Sequence, residues 1–490
     1  MILILENPTK LRVQFESEEE LTKAKKDLTY MDTSVAYQIK MTKDSAYKYG
    51  EAWAANRVFE LESDLKPCLL FSDGDGYFTR PGVIKYLQNR FDCKFTNQVN
   101  YPEFHELPWE KDPKIVFNDP NFEAHRAQKE ALERMLVNPH SHVEHATGTG
   151  KSYLIELLIK NTGLPTIVST PSRGIARAMY NECIALFGKR RVGLFGDGKR
   201  EIGKHILICV GKSLSLVKDT EELEQFKKYQ VFISDESHTL PADQFEYFCH
   251  NILGHCPYRW FVSGSQERTD GSDLKLLSII GPQIHYYSIE QAIEDRVLAK
   301  LSFLIFNLNS SVYFDSSNAV RMNQEHLYKN ERIASIISDV AYEAVTNNMP
   351  VLILIDEHVQ EKILQAYMKV EFTYASGKSE VEKICKDFNA GKIMCVVGNS
   401  AASTGTNFKP NRFTINWRAG KSIVKTKQGP IGRSTRIDKR TGKTECKVLD
   451  FRINNVRKLR NHANKRIECY KQVGKVEYVD LDVPAQDRTS

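Results

Sequence analysis

His145-Ala146-Thr147-Gly148-Thr149-Gly150-Lys151-Ser152 decides the fold of this 490-residue chain. A glycine-rich loop ending in Gly-Lys-Ser leaves backbone N–H groups free to surround phosphate oxygens. Lys151 then reaches the β/γ-phosphates and the Ser152 hydroxyl ligates Mg²⁺. Tyr153-Leu154-Ile155-Glu156-Leu157-Leu158 predicts a helix whose N-terminal dipole favours the same anion. Further along, Val231-Phe232-Ile233 predicts a buried strand delivering Asp235 and Glu236 of Asp235-Glu236-Ser237-His238 at its end. P-loop nucleotide hydrolysis needs one carboxylate there to hold Mg²⁺ and a second to orient water. Alone, the loop has a plainer reading as a surface turn, and the tetrapeptide reads first as an acidic strand end. Together, each in its strand–turn context, they imply a nucleotide-hydrolysing enzyme that uses Mg²⁺. One departure stands out: His145 occupies the position of the loop's usual leading glycine.

The length predicts about two to four domains, and 41% hydrophobic residues allow more than one sizeable core. The longest apolar runs, such as Val351-Leu352-Ile353-Leu354-Ile355, are too short to span a bilayer. Met1-Ile2-Leu3-Ile4-Leu5 lacks a basic flank and meets Glu6-Asn7-Pro8 at once, so it reads as a first strand and not a signal peptide. A soluble cytoplasmic protein is expected. The ten cysteines contain no C-x-x-C pair and read as reduced core residues. Cys249-His250 and His255-Cys256 could mimic a zinc site, but their spacing is that of no known finger. The net charge is +6, and its distribution is uneven: residues 411–466 hold 17 Lys/Arg against three acids, Asp438, Glu445 and Asp450. So dense a basic block predicts contact with a polyanion.

Three regions and a tail emerge. Residues 1–112 read as a small α+β module, with a strand at Lys10–Phe15 and a helix at Glu18–Leu28. A hairpin follows around Asp73-Gly74-Asp75-Gly76, then a helix from Pro81 to Phe91. The Asp-Gly-Asp-Gly turn lacks the downstream acidic ligand of a calcium loop. Pro102 to Pro120 reads as a Pro- and acid-rich linker. Within 113–300, strands at 166–169, 206–210, 231–234 and 260–263 alternate with helical stretches, predicting a parallel sheet covered on both faces. The pattern resumes at 351–355, 392–398 and 446–451, giving a second α/β domain over 301–475. Residues 476–490 read as a polar tail.

With these elements placed, the chain resembles a superfamily 2 helicase from about His125 to Asp450. The resemblance implies an α/β fold of two RecA-like parallel-sheet domains in tandem behind the small N-terminal α+β module, with ATP bound between them. Gln128 of His125-Arg126-Ala127-Gln128 matches the adenine-reading glutamine, whose amide can both donate and accept. Thr147, Gly148, Thr149, Gly150, Lys151 and Ser152 match the phosphate loop. Ser169-Thr170-Pro171-Ser172-Arg173, Gly196-Asp197-Gly198 and Gly211-Lys212-Ser213 fall where the family grips the nucleic-acid backbone, and there Pro171, Ser172, Arg173, Gly196 and Ser213 are the implied contacts. Exposed N–H and hydroxyl groups of such loops bind phosphates without reading bases. Ser263-Gly264-Ser265 matches the motif linking nucleotide state to strand contact. Ser403-Thr404-Gly405-Thr406-Asn407 matches the loop that touches both, with Ser403 and Thr404 on nucleic acid and Gly405 on nucleotide. Gly432-Arg433-Ser434-Thr435-Arg436 fits the G-R-x-x-R end of the last motif, although Gln428 lies one residue too far upstream for its usual glutamine. Arginines at i and i+3 share a helical face and reach one phosphate together, so Arg433 and Arg436 join Lys151, Asp235 and Glu236 as candidate catalytic residues.

Within the superfamily, the compact second domain, the small N-terminal module and Ser263-Gly264-Ser265 look most like tailed-phage branch-migration helicases. The implied protein is a monomeric motor in the host cytoplasm that binds single-stranded and branched DNA through the backbone, largely regardless of sequence. Three alternatives stay open on sequence alone: an RNA helicase, the motor subunit of a restriction-type complex, and a nucleotide-switched binding module that does not unwind.

Overall fold

The computed structural model describes the chain except residues 215, 218–219, 237–241, 265–272, 317, 377, 400–407 and 483–490. It holds three sheets. The N-terminal sheet has the order β3-β4-β2-β1-β5, with β1 at Ile2–Asn7, β2 at Lys10–Gln14, β3 at Phe71–Asp73, β4 at Gly76–Thr79 and β5 at Lys94–Asn97. Alternation along β1 and β2 sends Leu3, Leu5, Leu11 and Val13 into one small core. The Ser17 hydroxyl caps the helix Glu18–Asp27 by accepting from Glu20 N. The stretch expected to be helical from Pro81 to Phe91 is a 3₁₀ turn over Pro81–Val83 and a short helix over Ile84–Gln88.

Next comes an eight-stranded sheet: β6 His140–His145, β7 Thr166–Thr170, β8 Val192–Gly196, β9 Lys199–Arg200, β10 Ile206–Val210, β11 Val231–Asp235, β12 Tyr258–Ser263 and β13 Gln283–Tyr287. Their order is β13-β6-β12-β11-β7-β10-β8-β9. β6, β12, β11, β7, β10 and β8 pair in parallel, and helices on the two faces bury Leu154, Leu158 and Met179 in one core and Phe226, Phe248 and Ile279 in another. Parallel strands send their loops to one end of the sheet, where α/β proteins bind ligands.

The third sheet has the order β16-β17-β15-β18-β19-β14-β20, every described pair parallel. Its strands are β14 Lys300–Leu308, β15 Val351–Ile355, β16 Thr373–Ala375, β17 Cys395–Gly398, β18 Phe413–Trp417, β19 Glu445–Ile453 and β20 Lys475–Asp480. The fold is thus two RecA-like parallel-sheet domains in tandem with a small N-terminal α+β module. By compactness the chain forms two units, residues 1–145 with 150–286, and 146–149 with 287–490.

Four sequence expectations change. The N-terminal module belongs to the first unit. A Cβ on Gly82 would lie 2.1 Å from Leu277 O, and Arg80 pairs with Glu246. Residues 102–120 are a strap and not a free linker. His105 N donates to Thr162 O and Leu107 N to Lys160 O, while Tyr101 and Phe104 pack on Tyr258. Lys475–Asp480, read as the end of the second domain and the start of the tail, forms β20 on the edge of the third sheet. The basic block of 411–466 is also partly interior: Arg433, Lys443 and Arg466 are buried, whereas Lys421, Lys425, Lys439, Arg440, Arg457, Arg460 and Lys465 remain exposed. Among the described residues, no helix is long and apolar enough to cross a membrane.

Candidate active site

β6 ends at His145, and the chain turns through the loop into the helix Lys151–Thr162. Gly148 and Gly150 hold φ of 101° and 80°, a left-handed geometry that L side chains rarely adopt. Gly150 is also needed for space, because a Cβ there would lie 2.5 Å from Gln128 Nε2. The Thr149 hydroxyl donates to Ala146 O at 2.8 Å, and Ser152 stands in the first turn of the helix. Lys151 is buried; its Nζ donates to His145 O at 3.2 Å and pairs with Glu236 Oε1 at 3.1 Å.

Glu236 follows directly on β11 and takes φ of 50°, a conformation that costs energy in a non-glycine residue. Its own N–H donates to Val262 O at 2.8 Å, which fixes the strained turn against β12. The carboxylate is a hub. Oε1 meets Lys151, while Oε2 accepts from the Ser263 hydroxyl and from Gly264 N, each at 3.1 Å. Asp235, buried beside it, has its carboxyl pushed up to about 7, by burial first and then by the Glu236 charge, with Lys151 opposing. Buried Asp235 and half-buried Glu236 beside Lys151 form a donor set of hard oxygens that suits a divalent cation. Asp235 and Ser152 would hold Mg²⁺.

The Gln128 amide makes two backbone hydrogen bonds. Its Oε1 accepts from His125 N at 3.1 Å, and its Nε2 donates to Gly150 O at 2.9 Å, so the amide caps the helix Arg126–Val137 and ties it to the phosphate loop. Beside that helix start lies a cavity of about 620 Å³ lined by Trp109, Asp112, Phe122, Lys129 and Tyr153 among others. Phe122 stacks on Phe117 at 4.4 Å, and Tyr153 meets both rings edge-on. The sequence reading missed these residues by treating 102–120 as a linker. The signal was there: five aromatics within 101–122 are too many for a solvated spacer.

The expected backbone-gripping residues come together at the ends of β7, β8 and β10, which are neighbours in the sheet. Pro171 precedes Ser172, whose hydroxyl caps the helix Arg173–Phe187. A Cβ on Gly196 would lie 2.7 Å from Ser213 Oγ, so these two loops touch. Arg173, mostly exposed, faces Asp197 at 3.9 Å, and Arg177 pairs with the same carboxylate. Asp197 takes φ of 55° between Gly196 and Gly198, a tight turn that points its side chain at both arginines.

The comparisons with known proteins meet this geometry. Residues 125–269 match the DEAD/DEAH box helicase family, a span running from the helix cap beside Gln128 past Ser263. The chain carries a superfamily 2 helicase domain. Among proteins with curated descriptions, none matches the sequence. The solved structure of UvsW from bacteriophage T4 aligns over 98% of this chain and 99% of its own, at 16% identity and a TM-score of 0.44. The DUF1998 helicase MrfA bound to DNA reaches a TM-score of 0.55 at 13% identity, covering 77% of this chain and 54% of its own. S. cerevisiae Dbp5 bound to RNA and ADP BeF3 reaches 0.54 at 14% identity, covering 76% and 95%. For MrfA and Dbp5, with TM-scores above 0.5, the likeness shows the fold alone.

In the second unit, Gly432–Ser434 is a short helix that carries Arg433 into the interior. Burial first, and then the charge of Arg436, pushes the Arg433 guanidinium down to about 9, and burial pushes Arg436 down to about 10. The loop tip 146–149 groups with this unit, and there a Cβ on Gly148 would lie 3.2 Å from the Arg436 guanidinium carbon. Ser403, Thr404 and Gly405 lie outside the described residues, as do Ser237, His238 and Ser265. Cys249 and Cys256 are buried free thiols, and among the described residues they join no metal-binding cluster.

Proposed function

We propose that this helicase is an ATP-dependent DNA translocase that acts on branched DNA, forks and Holliday-type junctions, in recombination, repair or replication. The observation that carries the motor reading is the Glu236 carboxylate held between Lys151 and the Ser263–Gly264 turn. Lys151 leaves Glu236 for the phosphates when nucleotide arrives, and that frees one carboxylate oxygen to orient the attacking water. The other oxygen stays on Ser263 and Gly264, so the end of β12 registers the change. Mg²⁺ held by Asp235 and Ser152 would neutralise charge on the phosphates. The adenine ring is assigned to the aromatic cavity at Phe122 and Tyr153, with Gln128 holding the loop beside it. Arg433 and Arg436 are assigned to the transferring phosphate, where a desolvated guanidinium stabilises the charge that develops.

Two further observations support nucleic acid as the track. Pro171, Ser172, Arg173, Gly196 and Ser213 gather at one end of the sheet, and hydroxyl, N–H and guanidinium groups of this kind hold a backbone without reading its sequence. The helices Thr33–Asp44 and Glu51–Glu62 of the N-terminal module, with the turn between them, expose Tyr37, Tyr47, Tyr49, Trp53 and Phe59, rings that can stack on unpaired bases at a branch point.

ATP turnover by the purified protein with single-stranded DNA, duplex, a synthetic fork, a four-way junction and structured RNA tests the assignment. Strongest stimulation by the fork or junction is expected. Strongest stimulation by RNA would move the same motor to an RNA substrate. Lys151→Ala should abolish turnover while leaving DNA binding in place, and retained turnover would sink the phosphate-loop assignment.

A further inference from the structure

His145 stands where the phosphate loop would ordinarily begin with a glycine, yet its ring is fully buried. A buried imidazole costs free energy unless it is hydrogen-bonded, and this one is. His145 Nε2 lies 2.8 Å from Nδ1 of His285 on the neighbouring strand β13. Nε2 of His285 in turn lies 3.3 Å from Oε2 of Glu130 on the helix Arg126–Val137. An ionised carboxylate only accepts, so the chain has one consistent proton order. His285 donates from Nε2 to Glu130, its Nδ1 is left as an acceptor, and His145 donates from Nε2 to it. Burial holds the His145 ring down at about 3, which keeps it neutral as this order requires. The ring of His145 is therefore held by His285, which Glu130 holds in turn, and its backbone carbonyl is the group that accepts from Lys151 Nζ.

We propose that Glu130 and His285 are positioning residues that act through His145 on Lys151. This rests on the reading of the loop as the ATP site. The clamp fixes the orientation of the His145 carbonyl, so that Lys151 waits between that carbonyl and Glu236 in one geometry from which the phosphates are reached. Where a glycine would leave the first residue of the loop free to rotate, the imidazole chain orders it before nucleotide arrives. Ordering in advance lowers the entropic cost of binding, so its loss falls on KM for ATP more than on kcat.

Steady-state ATP hydrolysis with saturating DNA, read as separate kcat and KM, tests this on three single variants alongside thermal melting. His285→Phe keeps the ring volume and removes both nitrogens. Glu130→Ala removes the acceptor from a partly exposed helix position, and Glu130→Gln keeps a carbonyl oxygen that accepts from His285. The expected result is KM raised about tenfold in His285→Phe and severalfold in Glu130→Ala, with kcat within about twofold, as for supporting residues elsewhere. Glu130→Gln should recover most of the loss. Wild-type KM in Glu130→Ala and His285→Phe would overturn the proposal, as would a Glu130→Gln variant no better than Glu130→Ala. If His285→Phe fails to fold, the two Glu130 variants decide the matter by themselves. Failure of the underlying site reading looks different: Lys151→Ala would then turn over ATP as the wild type does, and the proposal falls with it. Normal dependence on Lys151 with unchanged Glu130 and His285 variants rejects the positioning chain alone.

Discussion

Arg466 and Arg433 are both buried in the second unit, and both come from the same basic stretch of sequence, but their surroundings treat them in opposite ways. Arg466 is gripped by Asp450 through two hydrogen bonds of 2.8 Å and donates a third to Gly420 O. Tyr470 and Asn416 donate to the same carboxylate, and the guanidinium is held well above its ordinary range despite its burial. Arg433 sits beside Arg436, and burial drives it down to about 9. The first arginine is a tie between β19 and the helix Arg457–Val473. For the second, burial and a like-charged neighbour act against the charged form. Two buried arginines from one basic stretch are thus shifted in opposite directions by what surrounds them.

Three measurements would sharpen or break that contrast. The largest effect is expected from Arg433→Ala, which should lower the rate of ATP hydrolysis by about 10³-fold or more, as for arginine fingers generally, while the melting temperature stays level or rises. A wild-type rate would exclude the role, and a large drop in stability would make Arg433 another structural tie. Arg466→Ala should act the other way, costing about 3–5 kcal/mol of unfolding free energy because it strands the Asp450 carboxylate in the interior. Chemical denaturation reads this directly, and the double variant Arg466→Met with Asp450→Leu should regain most of it. Recovery of neither stability nor a cooperative transition would show that the pair does more than neutralise itself.

The smallest effect extends the same burial argument to protons in the first unit. His140, His142 and His145 on β6 are held down at about 3, 4 and 3, mainly by burial. Between about pH 4 and 6.5 the unfolded chain binds protons at these positions and the folded chain does not. Stability is therefore fully present above about pH 6.5 and is lost progressively as pH falls toward 4. Urea unfolding at stepped pH checks this. A flat profile between pH 6.5 and 5 would mean that the three rings accept protons in place.

How much of the active site was legible varied with how local its geometry is. Gly148, Gly150 and Lys151 are readable because a phosphate cradle needs left-handed glycines and one lysine in consecutive positions. Asp235 and Glu236 are readable because a buried apolar strand must release its acids at its end. Gln128 was legible as a site residue, but the direction of its amide was not, since the partner Gly150 O is 22 residues away. Phe122 and Tyr153 were missed because their rings meet each other and Phe117 across a long stretch of chain, and nothing local in the sequence brings them together. His285 was invisible altogether. Nothing in Gln283-Ile284-His285-Tyr286-Tyr287 marks a residue that will meet His145 across two strands.

The sequence by itself determined the elements whose physics is short-range: the phosphate loop, the strand-end carboxylates, the alternation of apolar strands with helices, and hence two parallel-sheet domains behind a small α+β module. Tertiary structure alone decided which of the many basic residues of 411–466 are buried and which are exposed. It also made residues 102–120 a strap, β20 a sheet edge, and Glu130, His285 and His145 one hydrogen-bonded chain. The reason is the same in each case. Burial, pairing and proton order depend on groups that are distant along the chain, and parallel sheets, whose neighbouring strands are joined by long crossovers, bring such groups together.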